Sequence, residues 1–225
     1  PNTTGMKAMD CRISDSVADP IEEGDQYYTE SLVRLPGCFL CYRPFEKAPE
    51  VMPYLSKNWR GITFASFNKI SKYSEKSIEL WSRILKKLPD SKLILKSKQF
   101  EEETIKKYYC NLFEAHDIDV NRIIMKSWFP RIIDALSAYN EIDVALDTFP
   151  YNGTTTTCES LYMGVPTVTL KGDRHASRVG TSLLTAMGFE ELIAENEDEY
   201  IEKAINLAQD TFLLQKYRST TRQQM

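Results

Sequence analysis

Residues 147–166, "DTFPYNGTTTTCESLYMGVP", concentrate polar groups that suit the binding of phosphate and sugar. Four consecutive threonines follow Gly153, and Glu159 comes shortly after them. Hydroxyl groups at the start of a helix add donors to its free N–H groups and its partial positive charge, which together favour a phosphate. On the same helix face as Thr155 and Thr156, the Glu159 carboxylate could accept hydrogen bonds from two adjacent hydroxyls, as on a ribose. The pattern therefore predicts a site for a sugar nucleotide or a mononucleotide.

The same residues also fit a purely structural interpretation. Thr156 followed three residues later by Glu159 matches the capping box, in which the two side chains satisfy the first N–H groups of a helix. Four threonines are more than a cap needs, but the excess alone does not separate the two interpretations.

Two lysines in "SFNKISKYSE", residues 66–75, are the second candidate group. Lys72 follows a predicted strand and could neutralise the charge of a departing diphosphate. Taken alone, however, a lysine in a loop is usually just solvated. Lys69 is a weaker candidate on the same grounds as Lys72.

Alternating apolar segments must position these residues. The predicted strands are residues 61–67, 91–97, 121–127, 143–148, 166–170 and 191–194. The predicted helices are residues 74–89, 101–116, 130–140, 156–164, 176–188 and 196–210, and a last one that runs toward Arg222. Short apolar strands that alternate with helices predict an α/β fold, a Rossmann-like doubly wound parallel sheet.

Ligands of such sheets bind at the carboxyl ends of the strands, which directs attention to the loops at residues 68–74, 128–134 and 147–159. The glycine fingerprint of dinucleotide-binding folds is absent from the sequence, and so is the P-loop motif. These absences argue against an NAD-dependent enzyme and against a P-loop nucleoside triphosphatase.

Composition excludes several other classes. The 225 residues carry 28 basic and 32 acidic side chains, which does not indicate a nucleic-acid surface. No apolar run approaches the ~20 residues that span a bilayer, so no membrane partner is expected. Residues 1–58 look irregular, with one helical patch near residues 27–34, and Cys38 and Cys41 are interpreted as reduced thiols in a half-buried strand. No metal site is predicted, because a zinc site would need two more ligands at similar spacing.

Long stretches of the chain resemble one enzyme family. Residues 61–100 and 143–208, which include "FPYNGTTTTCESLYMGVP", closely resemble the catalytic region of the family of SPINDLY and O-GlcNAc transferase. The resemblance implies a metal-independent, inverting GT-B glycosyltransferase without a cofactor. Residues 59–225 would be its C-terminal donor-binding lobe, and residues 1–58 the end of the acceptor-side lobe and the linker. The tetratricopeptide repeats and most of the first lobe would then lie outside this chain, and we expect the fragment alone to be inactive.

The resemblance also implies roles for individual residues. Lys72 matches the lysine that contacts the donor diphosphate and assists departure of the nucleotide, and Lys69 lies near the same phosphates. Thr155 and Thr156 match the threonines on the diphosphate, Thr154 lies beside the donor, and Glu159 matches the carboxylate on the ribose. No general base is identified, and Asp147 is interpreted as a turn-former.

One position departs from the family pattern. Relatives carry a histidine in the loop region "WFPRIIDALSAY", where this chain has Asp134 and Ala135. Arg131 could supply a positive group there instead. The departure favours one alternative to the transferase, a non-catalytic homologue that binds nucleotide sugar. A second alternative, independent of this position, is another GT-B enzyme such as a sugar-nucleotide epimerase.

The resemblance to SPINDLY favours GDP-fucose as donor and Ser or Thr hydroxyls of intracellular proteins as acceptors. UDP-GlcNAc is the second donor candidate, from the resemblance to O-GlcNAc transferase. The family further implies a cytoplasmic and nuclear location, and a homodimer formed through the repeats.

Overall fold

The computed structural model describes residues 3–53 and 61–225. Its strands are β1 (Cys11–Asp15), β2 (Ser31–Leu35), β3 (Thr63–Ser66), β4 (Lys92–Lys96), β5 (Ile123–Lys126), β6 (Val144–Leu146), β7 (Thr167–Leu170) and β8 (Ile193–Ala194). Its α-helices are α1 (Glu75–Lys87), α2 (Glu103–Glu114), α3 (Ile132–Ser137), α4 (Thr155–Tyr162), α5 (Val179–Ala186), α6 (Glu197–Gln209) and α7 (Thr211–Gln224). The predicted alternation of strands and helices from residue 61 onward is confirmed.

The six strands from β3 to β8 form one parallel sheet in the order β5-β4-β3-β6-β7-β8. Numbered from its first strand, this is the 3-2-1-4-5-6 order of a doubly wound Rossmann-like sheet, so the predicted fold class is confirmed. The chain changes direction across the sheet between β3 and β6. A crevice opens at such a switch point, at the carboxyl ends of the two strands.

Apolar side chains cover both faces of this sheet. Phe64 and Leu93 point to one face and pack against α1, α2 and α6, whereas Ala65 and Ile94 pack on the other face with residues around α3. Successive strand residues point to opposite faces, so a strand that is buried on both sides must be apolar throughout. This explains why β4 and β6 contain short continuous apolar runs, residues 93–95 and 144–146.

Helix α1 shows how local sequence sets an element on the sheet. The Ser74 side chain accepts a hydrogen bond from the Ser77 backbone N–H and caps the helix, as predicted. Its apolar face, which includes Trp81, is buried. The Trp81 indole donates to the Tyr200 hydroxyl on α6 at 3.1 Å, and this hydroxyl donates to the Asp147 carbonyl at 2.9 Å. The core thereby supports the end of β6.

The N-terminal segment differs from its prediction. Residues 31–35 form a strand, β2, which pairs with β1 in parallel; only Asp25–Tyr27 form a helical turn, of the 3-10 type. The prediction of a helical patch over residues 27–34 is therefore wrong. The side chains of β2 alternate between exposed and half-buried, which is the period of a strand and not of a helix.

The two thiols of the C-x-x-C segment, Cys38 and Cys41, also lie in a setting that differs from the predicted one. Cys38 is half-buried, Cys41 is exposed, and both lie in an irregular segment after β2. The interpretation that they lie in a half-buried strand is therefore wrong. All five cysteines are free.

The predicted domain boundary between residues 58 and 59 lies outside the described residues. The described part of the N-terminal segment contacts the lobe around α5 through buried polar groups. Asp15 accepts a hydrogen bond from the Ser182 hydroxyl at 2.6 Å, and Asp19 lies 2.7 Å from Nδ1 of His175.

No helix in the described part of the chain is long and apolar enough to cross a membrane. Within residues 3–53 and 61–225, no group of three or more His, Cys, Asp or Glu side chains could hold a metal ion.

Candidate functional site

The buried carboxylate of Asp147, directly after β6, organises the loop that precedes α4. It accepts hydrogen bonds from the backbone N–H groups of Thr148 and Gly153 and from the Thr169 hydroxyl. Burial raises its pKa to about 6, against the effect of these hydrogen bonds and of the nearby Lys72 charge. These contacts are those of the turn-former that the sequence predicts.

Lys72 reaches this loop from the other side of the switch point. It closes a 3-10 turn, Ile70–Lys72, directly after β3. Its ammonium donates to the Asn152 carbonyl at 2.6 Å and lies 4.1 Å from the centre of the Tyr151 ring. Burial lowers the pKa of Lys72, and the Asp147 carboxylate opposes that fall. The structure therefore places Lys72 against the threonine loop, at a part-buried position where its charge is poorly screened.

Thr156 is held toward the same crevice. Its hydroxyl donates to Oδ1 of Asn68, the second residue after β3, at 2.8 Å. This contact requires a glycine at position 153, because a Cβ there would lie 2.5 Å from the Thr157 hydroxyl oxygen and 2.8 Å from that of Thr156. The glycine before the threonines thus permits a close approach of the loop to α4.

The capping-box interpretation of Thr156 and Glu159 is wrong. Helix α4 has Thr154 as its N-cap residue, and no side chain caps it. The Thr156 hydroxyl is engaged by Asn68, and Glu159 accepts a hydrogen bond from the Tyr139 hydroxyl at 3.3 Å. The backbone N–H groups of the first turn of α4 thus have no side-chain partner in a cap, which suits an anion.

Thr155 and Glu159 lie one helical turn apart on α4 and line a common cavity of about 550 Å³. The N-terminal segment at residues 42–47 and Ile132 and Leu136 of α3 form its other walls. Burial raises the pKa of Glu159, and both the Lys96 charge and the hydrogen bond from Tyr139 oppose the rise. Thr156 lines a separate, narrow crevice with Asn68 and Asp147, so the predicted common face holds for Thr155 and Glu159 only.

The other predicted residues lie further out. Lys69 is exposed at the start of the turn that carries Lys72. In the loop after β5, Arg131 forms two hydrogen bonds with Asp134 at 2.7 Å, so its charge is already paired. Ala135, the predicted departure from the family pattern, follows on α3. Strand β5 is the edge strand of the sheet, which separates this loop from the switch point.

Sequence reasoning missed three residues that contact the predicted ones and one that acts on them through its charge. Asn68 binds Thr156, the Asn152 carbonyl binds Lys72, Tyr139 binds Glu159, and Lys96 at the end of β4 acts on Glu159 through its charge. The position of Asn68 and Lys96 at the carboxyl ends of strands could have indicated them. Nothing local could have indicated Tyr139, because it approaches α4 from another helical segment.

Sequence comparisons point to one family. The profile of glycosyl transferase family 41 matches residues 54–225. The chain is 45% identical to SPINDLY of Arabidopsis thaliana, named as a probable UDP-N-acetylglucosamine–peptide N-acetylglucosaminyltransferase, over 100% of this chain and 24% of the relative. It is 32% identical to SEC of the same plant, over 92% of this chain and 22% of the relative, which has the same enzyme name. The chain thus spans about a quarter of the length of these curated relatives.

Solved structures agree with this. A mutant of Thermobaculum terrenum O-GlcNAc transferase superposes with a TM-score of 0.93 at 37% identity, over 99% of this chain and 42% of that one. Staphylococcus aureus TarM shares the fold alone, with a TM-score of 0.63 at 13% identity, over 94% of this chain and 39% of that one. The chain belongs to glycosyl transferase family 41, and its parallel α/β sheet has the fold of GT-B glycosyltransferases.

Proposed function

We propose that the chain is the donor-binding lobe, residues 59–225, of a protein O-glycosyltransferase, with residues 1–58 as the end of the acceptor-side lobe and the linker. The enzyme would move a sugar from a nucleotide diphosphate to Ser or Thr hydroxyls of proteins, with inversion and without a metal or another cofactor. The observation that carries this proposal is the meeting of Lys72 and the start of α4 at the switch point of the sheet.

The proposed chemistry rests on charge. When the sugar leaves, negative charge grows on the diphosphate, and a pre-positioned cation and helix terminus stabilise it without reorganisation. Lys72 is held beside the threonine loop, and the first turn of α4 carries no side-chain cap. Thr154, Thr155 and Thr156 would complete the phosphate contacts, with Lys69 at the exposed margin and Glu159 on the ribose.

We infer GDP-fucose as the donor, from the resemblance to SPINDLY. UDP-GlcNAc is the second candidate, and the names of the two plant relatives support it. Cytoplasmic and nuclear proteins would be the acceptors, and a dimer would form through repeats that this chain does not include. Neither nucleic acid nor a membrane surface is proposed as a partner.

Full-length protein incubated with each donor and a Ser/Thr acceptor peptide tests the proposal. We expect transfer of fucose from GDP-fucose, and no transfer when the 225-residue chain replaces the full protein. Transfer only from UDP-GlcNAc would reverse the donor assignment. Products from the nucleotide sugar in the absence of any acceptor would indicate an epimerase instead.

Ala135 supports a second candidate, a homologue that binds nucleotide sugar without transfer, because relatives carry histidine at this position. Calorimetry of the chain with GDP and UDP separates the two. Binding combined with no transfer from either donor by the full-length protein would favour the second candidate, and the Ala135→His variant would then be expected to restore transfer.

A further inference from the structure

Tyr151 is a residue of the threonine loop to which the proposed transfer gives no role. It lies between β6 and α4, directly before Asn152, whose carbonyl accepts the hydrogen bond from Lys72. Its ring centre is 4.1 Å from Nζ of Lys72, which is within the distance of about 6 Å at which an aromatic face attracts a cation. The loop thus offers this lysine two different contacts, one from an oxygen and one from a ring.

Buried hydrogen bonds fix the backbone on both sides of this ring. The Thr148 hydroxyl donates to the Tyr151 carbonyl at 2.6 Å, and the Asn152 side-chain amide donates to the Thr148 carbonyl at 2.9 Å. The Asn152 backbone N–H donates to the carbonyl of Ala176 at 2.8 Å. Thr148 and Asn152 are buried, whereas Tyr151 is 40% exposed. Because its backbone is anchored, the loop presents the tyrosine ring at a fixed place on the surface.

The ammonium of Lys72 keeps donors for a ligand in this arrangement. A lysine has three N–H donors, and the Asn152 carbonyl accepts one of them. Within residues 3–53 and 61–225, no carboxylate forms an ion pair with this ammonium, and Asp147 acts on it as a nearby charge. The ring attracts the positive charge without accepting a donor in the way that an oxygen does.

The lysine at the end of β5 shows what an acidic partner would do instead. Nζ of Lys126 lies 2.7 Å from both carboxylate oxygens of Glu141, so its charge is already paired. Burial takes water away from Lys72 and lowers its pKa, and the ring replaces part of the lost stabilisation of the charge. A cation held by a ring stays available to an anion, which charge stabilisation at a diphosphate requires.

We propose that Tyr151 is a positioning residue for the transfer, whose ring holds the Lys72 ammonium beside the start of α4 and leaves its free donors to the diphosphate. The inference rests on the proposed function, because it needs a nucleotide sugar whose diphosphate meets Lys72. Tyr151 would act through Lys72 and not by contact with the sugar. Its hydroxyl would contribute little, since the ring makes the contact with the cation.

Transfer rates of full-length variants test this, with GDP-fucose and UDP-GlcNAc each supplied at saturation. We expect Tyr151→Leu to lower kcat about 10-fold, which corresponds to a cation–π contact of about 1.4 kcal/mol. Tyr151→Phe keeps the ring and should retain kcat within about 2-fold. Tyr108→Leu, at an exposed tyrosine of α2, is the matched control and should leave kcat unchanged.

A double-mutant cycle tests whether Tyr151 acts through Lys72. In the Lys72→Ala background, Tyr151→Leu should cause no further loss, because the cation is gone. A loss that persists in this background would overturn the inference, since it would indicate contact with the substrate or a folding defect. Phenylalanine with one, two or three ring fluorines at position 151 keeps the ring and weakens its negative face. The kcat should fall stepwise along this series, and an unchanged kcat would also overturn the inference.

The contact between ring and lysine can be measured without transfer. In the NMR spectrum of the chain, the ring should shift the ε-CH₂ protons of Lys72 upfield. The shift should disappear in Tyr151→Leu and persist in Tyr151→Phe. Absence of the shift in the wild type would overturn this inference alone. A shift in the wild type, combined with no transfer of either sugar by the full-length protein, would instead overturn the proposed function on which the inference rests.

Discussion

The two sides of the candidate site differ in how completely their polar groups are hydrogen-bonded to one another. The phosphate side consists of Asn68, Lys72, Asp147, Asn152 and Thr156, and internal hydrogen bonds connect its members to one another or to the threonine loop. The side predicted for the ribose centres on Glu159, whose carboxylate accepts a hydrogen bond from the Tyr139 hydroxyl and feels the charge of Lys96 at the end of β4.

The difference follows from what each side must do. Charge stabilisation in a transition state requires groups that are already in place, and the internal hydrogen bonds of the phosphate side fix them. Recognition of a neutral diol requires free donors and acceptors, which a completed ion pair would not provide. In a site of this kind, the groups that stabilise developing charge are therefore held rigidly. The donors and acceptors that recognise a neutral ligand are left without a full set of internal partners.

The largest expected effect is that of replacing Lys72, because this removes the main cation of the phosphate side. Lys72→Ala in the full-length protein should lower the transfer rate by about 10²–10³-fold, as loss of one electrostatic donor does in other enzymes. Initial rates with saturating donor measure this. Lys69→Ala is the matched control, and we expect a loss of less than about 10-fold, because an exposed lysine interacts weakly. Equal losses in both variants would contradict the placement of Lys72 as the main cation.

The pH dependence of Asp147 tests how tightly the phosphate side is buried. A carboxyl whose pKa is about 3.9 in the unfolded chain and about 6 in the folded one binds more protons when folded between these pH values. Its contribution to stability is therefore present below pH 4 and is lost as the pH rises through 6.

Relative to Asp147→Asn, the free energy of unfolding of the wild type should therefore fall by about 2 kcal/mol between pH 4 and pH 7. The asparagine keeps a side-chain oxygen for the N–H groups of Thr148 and Gly153 and removes the titration. Urea unfolding of both proteins at several pH values measures the difference. A difference that does not change with pH would show that Asp147 keeps an ordinary pKa.

The smallest expected effect sharpens the contrast between two adjacent threonines. Thr156→Val removes the hydroxyl that binds Asn68 and should lower the free energy of unfolding by about 1 kcal/mol. Thr155→Val, at an exposed position, should change it by less than about 0.5 kcal/mol. Urea unfolding measures both. If the two variants were equally destabilised, the inward role of Thr156 would be wrong.

Much of the fold could be predicted because its signals are local. Short apolar runs mark β4 and β6, and the serine before α1 marks a helix start. The N-terminal strands were missed because β2 is short, charged in part and paired only with β1, so its alternation is weak evidence on its own.

The candidate site could be predicted only in part, for a related reason. Lys72 and the threonine loop carry recognisable residue types directly after strands, and the sheet order brings them together. Lys96 looks like an ordinary strand-end lysine, and only the fold shows that its ammonium lies beside the rings of Phe67 and Phe129. Its effect on Glu159 also depends on the fold, because Glu159 lies on another element.

The sequence by itself determined the parallel α/β class, the family resemblance and the loops in which a donor would bind, because these depend on residue types at fixed spacing. Only the tertiary structure decided which side chains are already paired. Thr156 binds inward to Asn68, Arg131 is neutralised by Asp134, and Glu159 accepts a hydrogen bond from Tyr139. Pairing depends on residues that are distant in sequence, so no local pattern can reveal it.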